Sequence, residues 1–436
     1  MVHWKFHAPA LLVGVISLLV YPVQADWTNV KLDMLMGADL LTVAASSPTH
    51  ACACGMKQGG QSVTPVIFCT DDGETWSPSN TPSGCVQMAF VDDDLGFMAD
   101  LFGKVFRTDD GGKSWTKVAE ASLGTGIFNM AGVSDIAVSP SKEIIWIQTY
   151  EGKYAVSPDG GETWEKPKQP LPVPTGGDLS AIAVSIVGDH VWVAGGDDGE
   201  PPGTDDFGDP TPARPGGLGF LIRSSDGGET FETLISDHEK CFFDISFVNP
   251  SKGVIAGGTL QKGGAVLGHT EDGGANWSMM SPPELPDEEV MMPNSTPKAH
   301  SKCLHAELFG KEVGIAFCGT GAIGENGHYG LYRTEDGGVN WGISPGYKAA
   351  FKQPLGSATD VYAAAFPDCH TGWVSGAMNL IQRYTASDTS LDCEAGGSPG
   401  DEEEEENNRG GSESCSQLNL GNRRSPSLFS TLLSLL

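Results

Sequence analysis

Thr108-Asp109-Asp110-Gly111-Gly112-Lys113-Ser114-Trp115 is the stretch that decides the fold, because its pattern, Ser/Thr-x-Asp-x-Gly-x-x-Trp/Phe, recurs along the chain. It is complete again at Ser157, Asp159, Gly161, Trp164; at Ser224, Asp226, Gly228, Phe231; at Thr270, Asp272, Gly274, Trp277; and at Thr334, Asp336, Gly338, Trp341. A further copy has Cys69 in the hydroxyl place, followed by Asp71, Gly73 and Trp76. Each residue type has a mechanical reason. The hydroxyl and carboxylate bond turn amides, the glycine accepts positive φ, and the aromatic ring buries against a sheet. The octapeptide reads as a hairpin turn, and its recurrence as a repeat architecture.

Working outward from the first copy, Val86 to Phe90 is an apolar strand, Asp92 to Asp94 a turn, and a second strand ends at Ala99. Lys104 to Thr108 is a third strand, the octapeptide turns the chain, and Ser114 to Val118 is a fourth. This is one four-stranded antiparallel unit. The same order restarts at Leu40, Ser134, Leu179, Phe242 and Leu304. A last unit runs through Val361, Trp373 to Gly376 and Leu380 to Thr385, and stops before any octapeptide. Trp27-Thr28-Asn29-Val30 matches Trp115-Thr116-Lys117-Val118 and supplies the missing fourth strand. The reading is an all-β, seven-bladed β-propeller of four-stranded antiparallel blades over 26–390, closed by the N-terminal strand, which leaves no open sheet edge.

These residues resemble the Asp-box (BNR) propeller superfamily, which includes photosystem II assembly and stability factors, sortilin-type receptors, sialidases and two-propeller xyloglucanases. Gly372-Trp373-Val374-Ser375-Gly376, with Arg107-Thr108 and Arg333-Thr334 leading into octapeptides, is most similar to the photosystem II assembly factor group. The resemblance implies the fold and a protein-binding habit. The motif itself specifies no activity.

The chain ends carry separate signals. Lys5, an apolar stretch from Ala8 to Tyr21, and Val23-Gln24-Ala25 fit a secretory signal peptide over 1–25. Secretion turns the 10 cysteines into expected disulfides, with the pairing left open. Residues 391–426 form an acidic, Gly/Ser-rich tail around Asp401 to Glu406, and 427–436 are an apolar end that fits a GPI-attachment signal. An extracellular location, with any membrane association through that anchor alone, follows as an expectation. Plastid delivery would need a transit segment after Ala25, where Asp26-Trp27 instead enters a strand. A net charge of -30, with only 26 Lys and Arg, argues against nucleic acid as a partner. Asn294-Ser295-Thr296 lies in a long loop and is the expected glycosylation acceptor, whereas Asn276 sits inside an octapeptide and reads as structural.

Function is expected on one face. The octapeptide turns are short and uniform, while the long insertions fall between second and third strands or between units. These are Met56 to Pro65, Gly196 to Gly219, Thr259 to Gly264, Thr320 to Gly330, Ser122 to Gly132, Pro282 to Ser301 and Ser344 to Ser357. One-sided insertions build binding surfaces. Asp197, Asp198, Asp205, Asp206 and Asp209 share one of them; calcium binding is the sharper reading and a solvated acidic loop the favoured one. Gly319 to Gly324 match a dinucleotide fingerprint in letters, but a strand follows instead of a helix.

Sialidases hold substrate with three arginines, yet no Arg precedes Arg107, and Arg107, Arg223, Arg333 and Arg383 occupy equivalent repeat positions. Neither HExxH nor GxSxG occurs. The expectation is a monomeric, non-catalytic scaffold without cofactor or metal that binds a protein or glycan on its long-loop face. The alternatives are a carbohydrate-active enzyme and an assembly chaperone of the photosystem II type.

Overall fold

The structure is a computed structural model that describes residues 25–32, 37–59, 62–100, 103–118, 132–165, 170–174, 179–200, 203–204, 210–211, 214–259, 264–284, 302–319, 329–344, 361–386 and 393. The 1–24 segment, Asn294 and the tail from 394 onward lie outside the described residues. Among the described residues every regular element is a strand, and no helix is long and apolar enough to cross a membrane.

The strands pair antiparallel in chain order. β1 (Ala25–Asn29) joins the last sheet. The sheets that follow it are β2 (Ala38–Ala45), β3 (Ala51–Gly59), β4 (Ser62–Thr70), β5 (Ser77–Pro78); and β6 (Cys85–Phe90), β7 (Gly96–Asp100), β8 (Val105–Thr108), β9 (Thr116–Lys117). Next come β10 (Val133–Val138), β11 (Ile145–Thr149) and β12 (Tyr154–Ser157), where a single Val156–Glu165 bridge replaces a fourth strand. Then β13 (Ser180–Val187), β14 (His190–Glu200), β17 (Arg214–Ser224) and β18 (Glu232–His238) form a sheet, beside a ribbon of β15 (Gly203–Thr204) and β16 (Pro210–Thr211). β19 (Cys241–Phe247), β20 (Gly253–Gly258), β21 (Val266–Thr270), β22 (Ser278–Met280) touch β23 (Lys302–Phe309), β24 (Val313–Gly319), β25 (Tyr329–Thr334), β26 (Gly342–Ile343) through one Gly258–Lys302 pair. β27 (Val361–Ala365), β28 (Thr371–Gly376) and β29 (Leu380–Ala386) pair with β1, which sets Trp27 opposite Tyr384.

Two of the expected loops are strand extensions. β3 and β4 stay paired to Gly59 and Ser62, and β14 and β17 to Glu200 and Arg214. Backbone N–H and C=O groups that leave a ladder must find other partners, so continued pairing wins over an open loop.

The apolar clusters lie between sheets. One packs Leu40, Val43, Phe68 and Trp76 of the β2–β5 sheet on Trp373 and Ile381 of β28 and β29. Equivalent clusters join each sheet to the next, such as Phe97 and Ile145 with Trp164, or Trp146 and Tyr154 with Val193 and Phe220. Burial of a large side chain here contributes roughly 1.5–3 kcal/mol.

The octapeptide is built as its residue types require. Thr108 Oγ1 donates to Asp110 at 2.8 Å and accepts from Gly112 N–H at 2.8 Å, while Asp110 accepts from the N–H and hydroxyl of Ser114 at 2.8 and 2.6 Å. Thr163, Thr230, Asn276 and Asn340 repeat the role of Ser114, so the position before the aromatic is also constrained. Asn276 thus spends its side-chain amide on Asp272, in keeping with a structural Asn.

The copy near the N-terminus has a different register from the one expected. Thr70 and Asp72 form its turn, with Asp72 accepting from Thr70 Oγ1 and from the N–H groups of Glu74 and Thr75 at 3.0, 2.8 and 2.6 Å. Cys69 is in a disulfide with Cys52, and Asp71 pairs instead with Lys113. This turn is one residue shorter, which an alignment anchored on Trp76 hides.

Each octapeptide also docks on the preceding sheet. The Gly228 and Gly273 carbonyls accept from Tyr154 Oη at 3.1 Å and Trp192 Nε1 at 2.9 Å. At Gly161, φ is 87° and a Cβ would overlap the Phe97 ring, so glycine is required both for the turn and for the close approach.

Candidate functional site

The first strand of every sheet carries a register shift at the same place. The shifts fall at Leu40/Thr42, Cys85/Gln87, Val133/Asp135, Ala181/Ala183, Phe242/Asp244, Cys303/His305 and Val361/Ala363. A bulge adds one residue and resets the alternation of faces, so the position after it is re-aimed in each strand. The first strands pack on one another in the order β2, β6, β10, β13, β19, β23, β27, and β27 packs on β2. The re-aimed residues, Thr42, Gln87, Asp135, Ala183, Asp244, His305 and Ala363, therefore share one level of the inner strands.

The polar members bond to the neighbouring first strand. Gln87 Nε2 donates to the Ser134 carbonyl at 2.6 Å. Asp135 accepts from Ile136 N–H at 2.8 Å and, across the sheet boundary, from Val184 N–H at 2.9 Å. Asp244 accepts from Ile245 at 2.7 Å and across to Ala306 at 2.9 Å. His305 Nδ1 lies 2.8 Å from Asp244 and Nε2 3.6 Å from Glu307, with all three side chains at least 94% buried.

Electrostatics follow from that burial. Desolvation pushes the Asp135 carboxyl well above its usual range, and the nearby Asp244 charge adds to the rise against the lowering effect of the two N–H donors. For His305 burial acts downward, but the neighbouring acidic groups of Asp244 and Glu307 outweigh it and raise the imidazole to about 10. His305 is held between two buried acidic side chains. A glycosidase needs two carboxyl groups flanking a sugar with room for it; these groups are sealed between strands and act as staples.

The arginines are not gathered into one cluster. Arg107 pairs with Asp109 and, at 2.9 Å, with Glu162 of the next octapeptide. Arg223 donates to Glu232 and to the Gly273 carbonyl of the next octapeptide, each at 2.9 Å. Arg333 pairs with Glu335, and Arg383 donates to Pro48 O at 3.2 Å beside Gly73. They occupy equivalent repeat positions, and Arg107, Arg223 and Arg383 tie adjacent sheets.

On the side of the second-to-third-strand connections, Asp197 is buried in β14 opposite Gly217, while Asp205, Asp206 and Asp209 lie outside the described residues. Gly319 ends β24 opposite Tyr329, and the strand expected after the fingerprint-like letters is β25. Two large apolar side chains are exposed there: Leu218 at 48% and Met378 at 62%, in left-handed backbone at φ 59° and 57°. Neither stood out in the sequence, since single Leu and Met residues carry no signal of exposure. Among the described residues, one group of side chains has donor atoms close enough for a metal, Cys369, His370 and Cys393.

With that geometry in hand, no family model and no curated protein matches the chain by sequence. Solved structures do match. YCF48 from Cyanidioschyzon merolae aligns over 83% of this chain and 98% of its own, with 16% identity and a TM-score of 0.53. A YCF48 bound to D1 peptide aligns over 84% and 99%, with 13% identity and a TM-score of 0.52. The chain is a β-propeller. The GH74 xyloglucanase from Xanthomonas campestris is a more distant match, over 81% of this chain and 60% of that one, with 13% identity and a TM-score of 0.46.

Proposed function

We propose that this propeller is a non-catalytic scaffold of the Asp-box type that binds a protein through the side bearing its second-to-third-strand connections. The observation that carries the reading is the pair Leu218 and Met378, exposed apolar side chains held in a costly backbone region on that side. Strain of roughly 1–3 kcal/mol per residue persists where something selects for it, and apolar groups held in solvent suit an apolar partner surface. The peptide-bound YCF48 favours a segment of another protein as the ligand over a glycan. Seven blades closed by Ala25–Asn29 are part of the proposal, supported by the β1–β29 pairing and by the packing of β27 on β2. So are a cleaved signal over 1–25, a monomeric secreted state, glycosylation at Asn294 and a GPI anchor taken from 427–436, each resting on the sequence pattern.

The test uses the mature chain as bait. Partners are captured and identified by mass spectrometry, then rebound to the Leu218→Asp/Met378→Asp double variant and to Val339→Asp on the octapeptide side. Loss with the first and retention with the second is the expected result; loss with Val339→Asp alone sinks the assignment. Turnover of glycosides by the mature chain, abolished by changing an acidic residue without unfolding, would transfer the reading to an enzyme.

A further inference from the structure

The turn between β27 and β28 carries side chains that a binding scaffold does not use. Cys369 is fully buried, His370 follows it, and Cys393, beyond β29, returns to the same spot. His370 Nδ1 lies 3.1 Å from Cys393 Sγ, and the two ring nitrogens lie 3.9 and 3.8 Å from Cys369 Sγ. The two sulfurs are bonded to each other. The turn is held from both sides: the Asp368 carboxylate accepts the N–H groups of His370 and Thr371 at 2.7 and 2.6 Å, and Ala386 N–H donates to the His370 carbonyl at 2.7 Å.

A tetrahedral zinc ion bonded at about 2.3 Å to sulfur and about 2.0–2.1 Å to nitrogen sets S···N at about 3.6 Å and S···S at about 3.8 Å. The His370 ring nitrogens already bracket that S···N separation. Only the sulfur pair has to part, and of the two cysteines Cys369 is fully buried while Cys393 is partly exposed. We propose that Cys369, His370 and Cys393 form a redox-gated site for a soft divalent cation of the zinc type, closed while the sulfurs are joined and open when they are reduced.

The chemistry balances with a dithiol as reductant. The dithiol gives two electrons and two protons to the S–S bond and leaves as its own disulfide, and two thiols form. Binding of the cation then releases both thiol protons to solvent, so that two thiolates and a neutral imidazole surround the ion, with a fourth position left for water.

Cobalt(II) is the probe, added anaerobically to the full chain with and without prior dithiol treatment, and read by thiolate-to-cobalt charge-transfer absorption and native mass spectrometry. One ion per chain after reduction and none before is the expected result, with affinity falling by about a hundredfold or more in His370→Ala. An unchanged affinity in His370→Ala, or a signal that survives in Cys369→Ser/Cys393→Ser, overturns the proposal. Because reduction also opens other disulfides, Cys393→His provides a route without reductant. It should bind cobalt through one thiolate in the oxidised chain, and failure to do so counts equally against the site.

Discussion

The octapeptide turns and the inner strands use the same side chain, aspartate, in opposite ways. At the turns the carboxylates stand at the surface and collect hydrogen bonds, so that Asp226, bonded foremost to Thr230, is lowered to about 2. On the inner strands Asp135 is buried and pushed up, and Asp244 is answered by a buried histidine. The first kind of aspartate organises its own octapeptide turn; the second ties strands through residues 49 or 62 apart in the chain. Repetition suits the first task, and individual choice the second, because each inner position faces a different neighbour.

The contrast breaks most visibly at Asp244. Asp244→Ala strands the His305 imidazolium and two N–H donors, and should cost about 3–5 kcal/mol by urea unfolding. The same cluster sets a pH signature. With a folded pKa of about 10 against an ordinary 6.5, His305 contributes stability that is complete below 6.5 and lost as pH rises through about 10. Asp226 has the opposite sign, contributing above 3.8 and losing its share as pH falls through about 2. Urea midpoints measured across pH should decline on the alkaline side in the parent and less steeply in His305→Gln; identical profiles would remove the inner cluster from the account.

Gly161→Ala tests whether the turn also works between sheets. Positive φ and overlap with Phe97 together should cost about 2–4 kcal/mol, and relief by Phe97→Leu would show that the contact, not φ alone, is responsible. Ser157→Ala, which leaves the buried Gly161 N–H without its acceptor, should cost about 1–2 kcal/mol. Smallest of all is Arg107→Ala. Its acidic partners are 66% and 68% exposed, and the midpoint should move by about 0.5 kcal/mol or less.

Sequence alone determined the repeat and the order of strands within a unit, because octapeptide bonds and strand alternation are local and leave a period in the letters, and that period pointed to the pairing of Trp27 with the last sheet, whose unit stops short of its own fourth strand. It did not determine which of two adjacent aspartates, Asp71 or Asp72, closes the shortened turn, nor that Arg107, Arg223 and Arg383 reach the octapeptides of neighbouring sheets. The inner polar level was illegible for a definite reason. A bulge in every first strand shifts the two-residue period by one, so the inward residue is not the one that alternation indicates. Its partners come from the next sheet, dozens of residues away, and only the packed assembly of sheets brings Asp135 to Val184 or Asp244 to His305.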